Sequence, residues 1–235
     1  MAAIGDNLQV VRRRIEGAAR AAGREPSAVT LLAVSKTHAA ARLAEAAAAG
    51  QRAFGENYVQ EALEKMDALS ATKGLEWHLI GPLQSNKTRL AAERFDWVHT
   101  VASEKIAKRL SEQRPAGLAP LNVLVQVNAS GEASKSGTSP SAAAALASSI
   151  ASFKGIRLRG LMAIPEPGAP RERFHEVNVL YQELKADFGF DTLSMGMTDD
   201  MDLAIAEGAT MVRIGTAIFG ARQSAPAGRL ASYNK

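Results

Sequence analysis

The segment Thr30-Leu31-Leu32-Ala33-Val34-Ser35-Lys36 joins a strand to a basic residue. Its four consecutive apolar residues, from Leu31 to Val34, are typical of a strand buried on both faces of a parallel sheet. Lys36 follows at the carboxyl end, the edge where α/β proteins bind ligands. The lysine is therefore either a solvent-facing rim residue or an amine that attacks a carbonyl and forms a Schiff base. The second role needs a pKa lowered from about 10.4 towards ~7–8.

Strands and helices alternate along the rest of the chain. Apolar positions at helical spacing predict a first helix before this strand: Ile4, Leu8, Val11, Ile15 and Ala18. Seven further strands are predicted at 53–57, 76–81, 97–101, 121–127, 158–164, 192–195 and 211–214. Helices are predicted between them at 39–49, 58–69, 87–93, 103–113, 140–153, 171–188 and 199–207, the last capped by Thr198. Residues 215–220 either continue the last strand or form a short helix.

This alternation predicts parallel strands with helical crossovers. Eight strands indicate an α/β fold of one domain, a (β/α)8 TIM barrel over residues 1–235 with an extra N-terminal helix. The weakest strand is 53–57. A miscount there would make an open doubly wound sheet competitive.

Composition narrows the class of protein. The chain has 235 residues, a net charge of +4 with dispersed basic residues, and no cysteine, so disulfides, thiol catalysis and thiolate metal sites are excluded. We expect no nucleic-acid binding. The sequence contains no run of about 18 apolar residues, so no membrane span is predicted. The start Met-Ala-Ala-Ile-Gly-Asp lacks the basic and apolar regions of a signal peptide, so we expect a cytoplasmic protein.

Residues suited to a phosphate follow the last two strands. They are Ser194-Met195-Gly196-Met197-Thr198 and Arg213-Ile214-Gly215-Thr216. A hydroxyl, an arginine and glycines that let backbone N–H groups approach fit a phosphate dianion, although both glycines also suit close packing. Asp199 and Asp200 would repel a phosphate, and we expect them in the first turn of the next helix. A lysine after strand one and a phosphate cradle after strands seven and eight suggest pyridoxal 5′-phosphate (PLP).

Seven motifs in the right order resemble the pyridoxal phosphate homeostasis protein family along nearly the whole chain. They are 33–37 (AVSKT), 54–58 (FGENY), 77–87 (WHLIGPLQSNK), 134–137 (SKSG), 160–162 (GLM), 193–197 (LSMGM) and 212–220 (VRIGTAIFG). Thr198 departs from the family, which usually has serine there, and keeps the hydroxyl.

The resemblance implies a barrel of the alanine-racemase type with PLP held as a Schiff base on Lys36. It also implies phosphate contacts from Ser194 and from the Gly215–Thr216 backbone. Arg213 would face either the pyridine nitrogen or the phosphate, and Asn57 would line the pocket near the ring. Met195 and Gly196 complete the predicted cofactor-binding set.

Other candidates have a structural and a functional interpretation. His78 is a core or pocket-wall histidine or a proton shuttle, and Tyr58 is a packing residue at a helix start or a base. Lys135 is a possible second lysine for PLP. The remaining histidines lack metal-ligand spacing, so no metal is expected: His38, His99 and His175. The segment with Gln84, Asn86 and Lys87 either reaches the mouth or forms a simple loop and helix cap. We expect Met162 and Met197 in the core or in the cofactor wall. A solvated helix face is favoured over a phosphate-binding patch for the arginines of the first helix, which are Arg12, Arg13, Arg14 and Arg20.

Two function classes remain. One is a protein that holds PLP reversibly and delivers it, with apo PLP-dependent enzymes as recipients and a monomeric or weakly dimeric state. The other is a PLP-dependent amino-acid racemase. Racemases of this type add a C-terminal β domain whose tyrosine is the second base, and the chain ends about 15 residues after Gly220. We therefore expect the binding protein, without clear substrate turnover.

Overall fold

The computed structural model describes residues 3–130 and 136–221. Eight parallel strands form a closed barrel in chain order, each bonded to the next and the last to the first. They are β1 (Thr30–Val34), β2 (Ala53–Glu56), β3 (Glu76–Leu79), β4 (Trp97–Val101), β5 (Leu121–Val127), β6 (Ile156–Ala163), β7 (Thr192–Ser194) and β8 (Met211–Ile214). The predicted (β/α)8 barrel is confirmed, and the open-sheet alternative is excluded because β1 pairs with β8.

The helices of the described residues surround the barrel. They are α1 (Ile4–Ala21), α2 (Ala40–Ala48), α3 (Val59–Ala68), α4 (Thr88–Arg94), α5 (Glu104–Gln113), α6 (Pro140–Ala151), α7 (Arg171–Phe188), α8 (Met201–Ala206) and α9 (Thr216–Phe219). Residues after β8 therefore turn into a short helix, one of the two predicted outcomes. Among the described residues, none of the helices has the length and apolar character needed to cross a lipid bilayer.

The extra helix α1 packs against α8, α9 and α2. Its apolar face is buried as predicted, except that Ala19 rather than Ala18 is the last fully buried residue. The interpretation of its arginines as a solvated face was incomplete. Arg14 bonds to the Asp202 carboxylate at 2.9 Å and donates to the Thr198 carbonyl at 2.8 Å. These contacts tie α1 to the segment that follows β7.

The helix predicted at 199–207 begins two residues later, at Met201. Thr198 does not cap it, and Asp199 and Asp200 precede the helix instead of occupying its first turn. The Asp200 carboxylate accepts a hydrogen bond from the Met197 N–H, which holds this segment as a turn. This placement leaves Asp199 beside the barrel mouth.

The apolar core has an outer and an inner part. The outer part lies between strands and helices and is a single large cluster. Inside the barrel are two smaller groups, one of Leu32, Val34, Ile80 and Met211 and one of Trp97, Leu124 and Met162. The two groups lie on different sides of the barrel because the first comes from β1, β8 and the residue after β3, and the second from β4, β5 and β6.

Candidate cofactor site

A cavity of about 320 Å³ opens at the carboxyl ends of the strands. Lys36 follows β1, Asn57 follows β2 and Gly215 follows β8, so closure of the barrel brings them to one mouth. The lining residues are Val34, Lys36, His38, Asn57, Ile80, Ile164, Met197, Thr198, Asp199, Arg213, Gly215 and Thr216. The volume lies within the usual range of small-molecule pockets.

The backbone on either side of Lys36 is held by buried charges. The Lys65 ammonium donates to the Ser35 carbonyl at 2.8 Å, and the Thr37 N–H donates to Glu61 at 2.6 Å. Thr37 has φ +65°, a left-handed conformation that costs a β-branched residue on the order of 1–3 kcal/mol. The bond to Glu61 is thus part of what holds the chain in this strained turn beside Lys36.

These groups form one buried ionic cluster. Lys65 contacts Glu56 at 2.7 Å and Glu61 at 2.8 Å, and the Ser35 hydroxyl donates to Glu56 at 2.6 Å. Burial raises the pKa of Glu56 to about 7, with the nearby Glu61 acting in the same direction and Lys65 opposing it. Two carboxyl groups therefore share one ammonium next to the backbone around Lys36.

Arg213 projects from β8 into the barrel interior and lines the cavity while remaining 4% exposed. One of its terminal nitrogens donates to the Ser194 hydroxyl and the other to the Ala163 carbonyl, both at 2.9 Å. Burial lowers the pKa of Arg213 to about 10, and the Asp200 carboxylate opposes that shift. The guanidinium is still a cation at neutral pH, with its plane fixed by two bonds.

A line of buried polar groups continues from Ser194 across the barrel. Its hydroxyl lies 3.2 Å from Nδ1 of His99, whose Nε2 lies 2.9 Å from Nδ1 of His78. His78 Nε2 then lies 2.7 Å from Glu76, the first residue of β3. Burial lowers the pKa of both histidines, and His99 is lowered well below its usual value. The interpretation of His78 as a core residue agrees with its burial, but the sequence did not indicate this line of hydrogen-bonded side chains.

Five of the eight predicted cofactor residues line the cavity: Lys36, Asn57, Arg213, Gly215 and Thr216. Ser194 and Met195 are fully buried and do not. The Ser194 hydroxyl faces Arg213 and His99, and Met195 packs in the outer core. Their predicted cofactor contacts therefore stay predictions.

Two glycines have a packing role. Gly196 has φ +94°, and a Cβ there would lie 2.5 Å from the Ala204 Cβ of α8, which favours the close-packing alternative. A Cβ on Gly81 would lie 2.1 Å from the Asn57 carbonyl oxygen. Gly81 thus lets β3 approach the backbone of a cavity residue, and this explains one glycine of the 77–87 motif.

The remaining candidates fall in different places. His38 lines the cavity and stacks on Phe219 with ring centroids 5.1 Å apart. Met197 also lines the cavity, whereas Met162 belongs to the barrel interior. Tyr58 precedes α3. Lys135 lies outside the described residues.

Sequence reasoning missed four residues near this site: Glu56, Glu61, Lys65 and His99. A signal existed for two of them, because Glu61 and Lys65 form an i,i+4 pair on a helix face that also holds Ala62 and Met66. Charges at core-facing helical positions indicate a buried ion pair. No comparable signal marked His99, since its partners are 21 and 95 residues away.

The chain is similar to a known family and to known proteins. The family model "Alanine racemase, N-terminal domain" matches residues 1–223. A pyridoxal phosphate homeostasis protein of Pseudomonas aeruginosa is 60% identical over 230 residues, covering 97% of this chain and 100% of the relative. The chain belongs to the pyridoxal phosphate homeostasis protein family. The protein of that name in Escherichia coli (strain K12) is 56% identical over 227 residues, covering 93% and 97%.

Solved structures extend the family comparison. PipY of Synechococcus elongatus, a structure with PLP bound, has a TM-score of 0.80 and 37% identity and covers 92% of this chain and 100% of that one. The same protein without PLP gives a TM-score of 0.82 and 38% identity over the same shares. Alanine racemase of Clostridium difficile, at 15% identity and a TM-score of 0.68 over 58% of its own length, shares the fold alone.

Proposed function

We propose that the cavity holds PLP and that this member of the homeostasis protein family keeps and delivers the cofactor. The observation that carries the proposal is the meeting of Lys36, Arg213 and Thr216 at one cavity of about 320 Å³ at the carboxyl mouth. The amine suits the aldehyde of PLP, and the loop of small residues suits its phosphate. The guanidinium suits either the pyridine nitrogen or the phosphate. PipY, at 37% identity, was solved with PLP bound, and this supports the proposal.

PLP supplies an aldehyde, which condenses reversibly with an amine and releases water. Lys36 is the amine that we assign to this step, because its neighbours Ser35 and Thr37 are held by Lys65 and Glu61. A fixed backbone limits the positions that the flexible lysine side chain samples. Reversible attachment suits a protein that holds a cofactor and hands it on.

The phosphate end is assigned to the segment after β8. Gly215 directly precedes α9 and Thr216 begins it, and the first N–H groups of a helix have no acceptor within the helix. Arg213 serves either the phosphate or the pyridine nitrogen. For Ser194 the bond from Arg213 favours a role in holding that guanidinium, and its predicted phosphate contact is a separate hypothesis.

The expected cytoplasmic location, the apo PLP-dependent enzymes as recipients and the monomeric or weakly dimeric state belong to the same proposal. An amino-acid racemase would instead show steady racemisation by the purified protein that is abolished in Lys36→Ala. We expect no such turnover.

The decisive experiment is intact-mass analysis after borohydride reduction of protein incubated with PLP, followed by peptide mapping. We expect one reduced cofactor adduct, on Lys36. The Lys36→Ala protein should lose it, whereas Lys108→Ala, at an exposed lysine of α5, should keep it. An adduct confined to another lysine, such as Lys135, or no adduct at all, would contradict the assignment.

A further inference from the structure

We propose that Ser194, His99 and His78 are positioning residues of the cofactor cavity. They form a one-way hydrogen-bond chain across the barrel interior that holds the Arg213 guanidinium in one orientation. This inference rests on the proposed function, because the hydrogen-bond chain ends at Arg213, the cation that we assign to cofactor binding.

The hydrogen-bond chain joins the two ends of the barrel. Arg213 lines the cavity at the carboxyl mouth, and Glu76, with 46% of its side chain exposed, starts β3 at the opposite end. Between them the bonded atoms are 2.9, 3.2, 2.9 and 2.7 Å apart, in the order Arg213–Ser194, Ser194–His99, His99–His78 and His78–Glu76. His78, His99 and Ser194 are 0% exposed.

The charges at its two ends set the direction of every bond. The bond from His78 lowers the pKa of Glu76, so this side chain is a carboxylate that only accepts, and His78 must carry its proton on Nε2. A neutral His78 then accepts at Nδ1 from His99 Nε2–H. His99 in turn accepts at Nδ1 from the Ser194 hydroxyl, which leaves the Ser194 oxygen to accept from Arg213, a group that only donates.

The surroundings keep both imidazoles neutral. Glu76 and Asp96 favour a charged His78, but burial outweighs them and lowers its pKa. His99 has burial, His78 and Arg213 all acting against its charged form. Trp97 stacks on His78 with centroids 5.2 Å apart and helps to bury that ring. Burial of both rings therefore favours their neutral forms, and one donor pattern is left.

Stability alone gives no reason for such an interior. Barrel interiors are usually filled by branched aliphatic side chains, as in the apolar group around Leu32. Buried polar groups cost free energy unless every one is bonded, and apolar residues of similar volume are often as stable. The distinct effect of the chain is to hold a charged donor rigidly at the cavity before any ligand arrives.

The direction of the chain can be tested without PLP. Long-range ¹⁵N–¹H NMR on the protein without PLP reports the proton position on each imidazole ring. Variants that each replace one of the four histidines assign the signals. Because the pKa of both rings is lowered, we expect His78 and His99 to be neutral at about pH 8 and to carry the proton on Nε2. A proton on Nδ1 of either ring at this pH would overturn the proposal.

The positioning role is tested by a rescue pair. Glutamine at position 99 can accept from Ser194 and donate to His78, whereas leucine can do neither. We expect His99→Leu to weaken PLP binding about tenfold, the loss of roughly one hydrogen bond, and to shift the absorbance maximum of the bound cofactor. His99→Gln should restore both to near the wild-type values. His175→Leu, at the exposed α7 histidine, is the matched control and should change neither.

The measurements are equilibrium dialysis and absorbance spectra, with circular dichroism confirming that each variant is folded. A folded His99→Leu protein with wild-type affinity and absorbance would refute the positioning role. Absence of any borohydride-fixed adduct on wild-type Lys36, together with two Nε2–H histidines, would instead overturn the proposed function. The donor-to-acceptor direction of the hydrogen-bond chain would then still hold, but its role in positioning Arg213 for a cofactor would be refuted.

Discussion

The Lys65 ammonium lies 2.7 Å from one carboxylate oxygen of Glu56, and the two side chains are 6% and 0% exposed. Glu61 contacts the same ammonium at 2.8 Å. One cation thus serves two carboxylates in a region that water does not reach. Because the cluster also bonds to Ser35 and Thr37, its electrostatics are linked to the conformation of the Lys36 segment.

Replacing Lys65 by methionine should destabilise the fold strongly. The change leaves Glu56 and Glu61 buried without their cation, which typically costs about 3–5 kcal/mol. Urea unfolding at pH 7 measures the loss. Lys108→Met is the matched control, because Lys108 meets Glu112 only at 3.9 Å on an exposed helix face and should cost less than about 1 kcal/mol. Equal effects of the two changes would show that the buried cluster adds nothing.

Stability should depend on pH through Glu56. Its pKa rises from 4.5 to about 7 on folding, so the folded state binds more protons between these values. The free energy of unfolding gained from this group is therefore fully present below about pH 4.5 and is lost as pH rises through about 7.

The change can be measured by urea unfolding of wild type and Glu56→Gln at pH 5 and pH 8. We expect the stability of wild type relative to the variant to fall between these conditions by on the order of 2–3 kcal/mol. Glu112→Gln, at an exposed site, should show no such change. A relative stability of Glu56→Gln that is the same at both pH values would contradict a raised pKa.

Gly196→Ala should be more destabilising than Gly168→Ala. Both glycines have positive φ, +94° and +73°, so both alanines incur the left-handed strain of about 1–2 kcal/mol. Only the alanine at 196 also meets a neighbour, Ala204 Cβ at 2.5 Å, which adds roughly 1–3 kcal/mol of overpacking. Thermal unfolding of the two variants gives the difference. Equal losses would mean that α8 moves away at little cost.

Arg213→Gln should weaken PLP retention. The change removes a cation from the cavity wall and the donor that meets both Ser194 and Ala163. Loss of a charge-assisted bond corresponds to about a tenfold to hundredfold weaker affinity, measured by equilibrium dialysis. Arg89→Gln, at an exposed position of α4, should leave the affinity unchanged. An Arg213→Gln protein that held PLP as tightly as wild type would refute the role given to this arginine.

Most of the fold could be predicted from local patterns. All eight strands overlap their predicted ranges, because strands buried on both faces carry mostly apolar residues. The start of α8 could not be predicted. Asp200 there bonds to the Met197 N–H, and this contact competes with the helix signal at Thr198.

The cavity was predictable where it depends on position along a strand. Lys36 and Gly215 reach the mouth because they follow β1 and β8, and parallel strands all end at the same side of the barrel. Ser194 shows where this reasoning stops. Its location at the end of β7 was correct, but the direction of its hydroxyl depends on Arg213 and His99.

The amino-acid sequence by itself determined the barrel, the lysine that follows its first strand and the family to which the chain belongs. Apolar periodicity is a local property, and each element buries its own face whatever its partner is. Only the tertiary structure decided that Glu56 and Glu61 share Lys65, and that His78 and His99 connect Glu76 to Arg213. The ion pairs join β2 to α3, and the histidine contacts join separate strands. The energies of both depend on distances and burial that exist only once the barrel has closed.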